Sequence, residues 1–356
     1  MSLTTAYLNR IATAAPRYDV HSVFVHFARS LLPERPQRLF DRMAGKSGIS
    51  SRYSVLAPAA NQDEAVDAEG LYPRGAFAGT ARRMAVFERE APQLAEHAFA
   101  RLELSSDEVQ SISHVIVTSC TGMYAPGLDW DLMTRCGLRP TVERTVVGFM
   151  GCFAAINALK LARHIVRSDA RARVLIVNVE LCTLHLHETT ELEQMLSFLV
   201  FGDGCAASIV SAVPAGLALQ SFHSERLLNT ADLITWRVGD SGFDMFLSGQ
   251  VPQALRAGLR ESADHILSGH QGRPVEHWAV HPGGRSVLDA VEEALDLPSL
   301  ALDASRSVLD RYGNMSSPSV MFVLAELLGR ARPGERGCAM SFGPGLTAET
   351  FLFEKV

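Results

Sequence analysis

One near-constant spacing runs through the 356-residue chain. His114–Thr118 (HVIVT) resembles His277–His281 (HWAVH) after 163 residues, and Arg173–Val179 (RVLIVNV) resembles Arg336–Phe342 (RGCAMSF) after another 163. Cys152 and Asn314 each sit between a strand-like run and a helical one, and they lie 162 residues apart. Any one of these matches is chance-level; the shared offset indicates a duplicated half. Two similar halves, expected at 1–215 and 216–356, would place residues 152 and 314 at equivalent helix starts about a pseudo-twofold. The residues that meet at that axis are the natural site.

Local patterning gives the class of each half. Asp19–Leu32 and Ala85–Leu102 carry apolar residues three or four apart, so the first hundred residues read as mostly helical. The Gly/Pro/Ala-rich stretch Ala57–Ala81 between them reads as surface loop. Beyond it, β-branched runs alternate with helical ones. His114–Ser119, Thr145–Phe149 and Arg173–Val179 are strand-like, and Phe153–Val166 has helical period. This alternation predicts an α/β layered fold.

Composition removes several classes. Hydrophobic residues at 47% and charged residues at 20% describe an ordinary globular chain, not a disordered one. A net charge of −6 makes a nucleic-acid partner unexpected. No run of apolar residues is long enough for a membrane span, and Met1–Pro16 lacks a charged start followed by an apolar block, so no export signal is expected. Six cysteines without CxxC spacing then read as free thiols in a cytoplasmic protein. The twelve histidines include no HExxH arrangement, so metal catalysis is not expected.

Three residues stand out against this background. Cys152 lies in GFMGCFAAINALKLA, where a strand ends, Gly148 and Gly151 permit a sharp turn, and an Ala-rich helix begins. The positive end of a helix favours a thiolate, which predicts a lowered thiol pKa. Taken alone, the residue fits a buried structural cysteine equally well. His281 ends a strand ahead of Pro-Gly-Gly, and Asn314 lies in YGNMSSPSV, another strand–glycine–helix junction where the bland reading is a helix N-cap. Together the three supply a nucleophile, an imidazole that stabilises the thiolate, and N–H groups able to hold a developing oxyanion.

With GFMGCFAA around Cys152, LVFGDGCAA around Phe201, HPGG at 281–284, YGNMSSPSV around Asn314 and SFGPGLTAET at 341–350, the whole chain resembles a type III polyketide synthase of the chalcone/stilbene synthase family, in a bacterial form. Related enzymes that initiate fatty-acid synthesis share the Cys–His–Asn set. Their loops read His-Gln-Ala-Asn and Gly-Asn-Thr-Ser, where this chain has His281-Pro-Gly-Gly and Gly313-Asn-Met-Ser. The resemblance implies a thiolase-like fold, two pseudo-symmetric halves in an αβαβα stack. It also implies a homodimer, a Cys152–His281–Asn314 triad without bound cofactor, and malonyl-CoA and an acyl-CoA starter as substrates.

Further roles follow from the same resemblance. Phe201 matches an aromatic gate, and the second gate position falls on Met245, with Phe243 and Phe246 flanking it. Trp236 stands where plant relatives carry glycine, Cys120 and Cys182 where they carry threonines, and His185 replaces another; Thr121 and Ser316 are retained in kind. These are cavity-shaping residues, with any chemical role of Cys120 left open. Gly343 and Gly345 of the Gly-Pro-Gly loop are expected to shape the cavity floor. Arg42 and Lys46 match basic residues at the mouth of the CoA tunnel, with a solvated helix face as the alternative. Two competing functions remain: an initiating β-ketoacyl-acyl-carrier-protein synthase and a catalytically dead thiolase-fold binding protein.

Overall fold

The computed structural model describes residues 4–270 and 272–356. The first half runs β1 (Tyr7–Ala14), β2 (Tyr18–Asp19), α1 (His21–Leu31), α2 (Glu34–Ala44), β3 (Tyr53–Ser54), α3 (Thr80–Ala100), α4 (Ser106–Ser111), β4 (His114–Ser119), α5 (Leu128–Arg135), β5 (Glu143–Gly148), α6 (Ala154–Ser168), β6 (Arg173–Leu181), α7 (Leu192–Val200) and β7 (Asp203–Ser211). The second runs β8 (Leu217–Arg226), β9 (Ile234–Gly239), β10 (Gly242–Leu247), α8 (Val251–Leu267), β11 (His277–Val280), α9 (Arg285–Ala294), α10 (Asp303–Tyr312), α11 (Pro318–Arg330), β12 (Arg336–Gly343) and β13 (Thr347–Lys355).

The sheet order β11-β12-β13-β8-β1-β7-β6-β4-β5 reads the same outward from its middle in both directions. β1 pairs antiparallel with β7, β7 antiparallel with β6, and β6 parallel with β4. On the other side β8, β13, β12 and β11 repeat that sequence of antiparallel, antiparallel and parallel pairings. β5 has no counterpart in the second half. The halves join at the seam where Tyr7 and Leu8 pair with Ala218 and Leu217.

Burial on both faces explains why β4, β6 and β12 are rich in apolar residues without a two-residue alternation. Along β4, Val115 and Val117 pack toward α3, while Ile116 packs toward α6 and α11. Along β12, Cys338, Met340 and Phe342 pack toward α8 and α9, while Ala339 joins the central layer. Three cores therefore separate five layers: outer helices, half-sheet, α6 with α11, half-sheet, outer helices. Small residues on α6 (Ala155, Ala158, Ala162) let the central helices fit between the half-sheets.

The first hundred residues are less helical than their patterning predicts. β1 is a central strand at the seam, yet its pairing with β7 shifts register between Leu8 and Arg10. That bulge breaks the two-residue alternation by which a strand is read. Substitution tests the layering. Leu159→Ala, in the central layer, is expected to cost about 2–5 kcal/mol in chemical denaturation. Leu300→Ala, whose side chain is exposed, should stay within about 0.5 kcal/mol. Equal losses would contradict the five-layer core.

Candidate active site

Cys152 sits in a single 3-10 turn, Gly151–Phe153, that leads β5 into α6. The helix proper starts two residues later than the sequence pattern suggests. Gly151 has φ +78°, and a β-carbon there would come within 2.3 Å of Pro344 Cδ, so the Gly-Pro-Gly loop of the second half packs directly on the cysteine turn. Asn314 is placed by the opposite arrangement. Its N–H donates to the Val200 carbonyl at 2.7 Å, its carbonyl accepts from the Gly202 N–H at 3.0 Å, and Phe201 and Asn314 form a parallel bridge. Gly313, at φ +67°, permits this, because a β-carbon there would lie 2.7 Å from the Val200 carbonyl oxygen. Asn314 is not a helix cap: α11 starts at Pro318, with Ser317 in the N-cap position.

Cys152, His281 and Asn314 line one cavity of about 860 Å3, part of it open to solvent. Asn314 Oδ1 accepts the Ser316 N–H at 2.8 Å, and Nδ2 donates to the Gly283 carbonyl at 3.2 Å. The Cys152 sulfur is within hydrogen-bonding reach of the Asn314 and Ser316 side chains. His281 follows β11 directly and is 1% exposed, and neither ring nitrogen has a partner among the described residues. Buried polar atoms left unpaired are uncommon in native proteins, and this imidazole is available to a reactant. His277, four residues earlier on the strand, is committed to Glu335 at 2.8 Å, and no cluster able to hold a metal occurs among the described residues.

Electrostatics run against the sequence expectation of a lowered thiol pKa. Burial pushes the Cys152 thiol up to about 12, with the Glu180 carboxylate adding to the rise. Hydrogen bonds from Ser316 and Asn314 work in the other direction and are outweighed. Burial likewise holds His281 down at about 3. Burial therefore favours a neutral thiol and a neutral imidazole on the same cavity, which makes His281 a candidate base for the thiol proton.

The other lining residues fall into a pinned wall and a soft one. Trp236 Nε1 donates to the Cys120 carbonyl at 2.7 Å. His185 donates from Nε2 to the Thr121 carbonyl at 2.7 Å and accepts the Phe243 N–H at Nδ1, 3.0 Å away. Its ring stacks on Phe243 at 4.2 Å and meets Trp236 edge-on at 5.3 Å. Both nitrogens are spent, and burial holds the imidazole neutral, with its pKa near 3. Met245, paired with Trp236 across the β9–β10 hairpin, lines the cavity; Phe243 is buried behind it and Phe246 is 45% exposed. Phe201, Cys182, Cys120, Thr121, Ser316 and Gly343 line it as well. Gly345 does not: the loop meets the cavity through Gly343 and Pro344. Arg42 and Lys46 lie on exposed surface outside the cavity lining, and the Lys46 carbonyl accepts from Arg285 at 3.4 Å.

Glu180, which the sequence reading passed over, lies at the back of the site. Its carboxylate is buried and accepts from the Cys120 N–H (2.9 Å), Thr121 Oγ1 (2.8 Å), Ser317 Oγ (2.9 Å) and Cys120 Sγ (3.3 Å). Burial raises its pKa, and burial beside this acid raises that of Cys120 far more, so Cys120 serves as a protonated donor. The available signal was an acidic residue near the end of a mainly apolar strand, RVLIVNVEL. Phe198, also missed, reads in sequence as an ordinary helix core position.

Comparison with known proteins places this geometry in a class. The N-terminal domain of chalcone and stilbene synthases matches residues 12–214, and the C-terminal domain matches residues 218–356. The chain belongs to this family of condensing acyltransferases, the type III polyketide synthases. The alpha-pyrone synthesis polyketide synthase-like Pks18 of Mycobacterium tuberculosis is 31% identical over 99% of this chain and 91% of its own length. PKS-I of the brown alga Ectocarpus siliculosus superposes with a TM-score of 0.87 at 30% identity, over the full length of both chains. The C-terminal type III polyketide synthase domain of Steely1, a type I/III hybrid from Dictyostelium, shares the fold with a TM-score of 0.88 at 22% identity, over 99% of each chain. No helix among the described residues is long and apolar enough to cross a membrane.

Alkylation kinetics test the electrostatics. With the thiol pushed up to about 12, iodoacetamide labelling of Cys152 should be slow at pH 6 and climb through the alkaline range. A labelling rate already level at pH 6 would show that an imidazolium beside the sulfur outweighs burial.

Proposed function

We propose that this enzyme loads an acyl-CoA starter on Cys152 and extends it with malonyl-CoA by repeated decarboxylative Claisen condensation. The chain is then released as a pyrone, resorcinol or related aromatic ring. The observation that carries the reading is a nucleophilic sulfur, an unpartnered imidazole and a carboxamide on one buried cavity. The half at 1–215 supplies the nucleophile, and the half at 216–356 supplies His281 and Asn314. A homodimer without bound cofactor is part of the same reading.

The chemistry follows from the groups present. As the Cys152 sulfur bonds to the thioester carbonyl carbon, His281 takes the thiol proton, and the CoA sulfur leaves with it. Malonyl-CoA next loses its carboxylate as carbon dioxide, and the electron pair of the broken C–C bond stays on the acetyl unit as an enolate. N–H groups of His281 and Asn314 stabilise the enolate oxygen, a contribution of about 3–4 kcal/mol per donor. The enolate carbon attacks the Cys152 thioester; a C–C bond forms, and the sulfur leaves as thiolate. An apolar wall at Phe201 excludes water from the thioester and disfavours the malonyl carboxylate.

Asn314→Ala is expected to lower malonyl-CoA decarboxylation by roughly 10²–10³, while acyl transfer to Cys152, read by intact-protein mass, changes much less. Equal losses would overturn the role given to Asn314. Cys152→Ala should lose chain extension and retain some decarboxylation. Turnover of malonyl-CoA is expected; turnover of malonyl-carrier protein alone would favour an initiating ketoacyl synthase instead.

A further inference from the structure

A second cavity, of about 510 Å3 and partly open to solvent, adjoins the first, and the two share a wall made by Cys182, Phe198 and Phe201. From there it runs between α1 and the loop ahead of α3, with Phe24, Leu56, Val66 and Leu186 among its walls. Its polar residues are already engaged. Asp67 accepts three backbone N–H groups, from Glu69, Leu71 and Tyr72. The Tyr72 hydroxyl donates to the Thr183 carbonyl at 2.7 Å, and the Ser54 and Thr183 hydroxyls bond each other at 2.7 Å. Arg52 spends Nη1 on the Phe198 and Phe201 carbonyls and Nε on His21. Only its Nη2 lacks a partner among the described residues of this wall, and that atom is itself buried.

We infer that this chamber receives the distal part of an unbranched alkyl chain carried by the starter thioester on Cys152, so that the enzyme takes medium- and long-chain fatty acyl-CoA starters. The inference rests on Cys152 being the acylated residue. Three features favour this occupant. The chamber continues a cavity that already holds the sulfur. Its remaining surface is apolar and offers a polar ligand no accessible free donor. Its threshold has a low point at Cys182, the smallest side chain of a wall shared with Phe198 and Phe201, and turning Phe201 would join the two spaces. The wall on the other side of the sulfur, pinned through Trp236 and His185, has no such give.

Each methylene moved out of water is worth roughly a factor of four in binding, so even two of them reaching the chamber set a preference above tenfold. The test uses the intact enzyme and dodecanoyl-CoA carrying a terminal diazirine. Intact mass first reports whether Cys152 is acylated; photolysis and peptide mapping then locate the chain end. Crosslinks within residues 52–72 or 182–201 are expected. Acylated Cys152 with crosslinks confined to residues 234–251 would overturn the chamber and leave the condensing reaction standing. Absence of acylation would overturn the reaction on which it rests. In a second measurement, Val66→Trp and, independently, Leu56→Phe should lower the ratio of kcat/KM for dodecanoyl-CoA over butanoyl-CoA about tenfold. A ratio unchanged in both variants would also overturn the inference.

Discussion

The site depends on backbone of one half lying against backbone of the other without side chains between. A residue pair as short as Phe201–Asn314 carries much of this. Bridging the Val200–Gly202 segment to the Asn314 turn commits the carboxamide to one position, because both its backbone groups are bonded across the junction. Arg52 reinforces the junction from behind by holding the Phe198 and Phe201 carbonyls. It is a buried cation, and burial lowers its pKa to about 10, while Asp19 and Asp203 act to keep it charged. Removing the guanidinium would leave two buried carbonyls short of a donor, so the residue works at a distance from the chemistry by fixing where Asn314 stands.

Dryness sets the terms of the chemistry. The same burial that protects a thioester from hydrolysis holds Cys152 and His281 neutral. In the proposed reaction a preformed ion pair would need compensation for two desolvated charges, which the Ser316 and Asn314 hydrogen bonds do not supply. Proton transfer coupled to attack avoids that cost, since charge appears on the thioester oxygen, where donors can meet it. The positive end of α6 remains a favourable influence, but the intervening 3-10 turn puts the sulfur before the first α-helical residue.

Sequence patterning revealed the duplicated plan because both halves place their buried strands and central helices in the same order. β4 and β11, like β6 and β12, are buried over nearly their whole length, so their residue types are confined and the 163-residue offset survives between the members of each pair. β1 escaped detection for the converse reason, a bulge that breaks its alternation. The clustering of Cys152, His281 and Asn314 on one cavity was legible because each stands beside glycines that a tight turn calls for. Glu180 was not, since its carboxylate is held by five donors drawn from residues 119, 120, 121 and 317, which no local pattern links. The direction of the Cys152 shift was illegible too: the helix end is written in sequence, whereas the depth of the cavity over it is a property of the whole fold.

Under the proposed reaction, the two kinds of cavity wall divide the control of product between them. Trp236, His185 and Phe243 form a unit in which each polar atom has a partner and each ring has a neighbour, so moving one member breaks contacts of the others. Such a wall fixes the shape against which a growing chain must fold. In the wall at Cys182, Phe198 and Phe201, Phe198 is packed in the first core and stacks on His187, whereas Phe201 has cavity on both faces and its carbonyl is held by Arg52. A side chain with empty space on either side gives up few contacts on changing rotamer, so this wall can yield to a longer chain at small cost. Chain length would then be set at the yielding wall and ring closure at the rigid one, and substitutions at Trp236 and at Cys182 should change different features of the product.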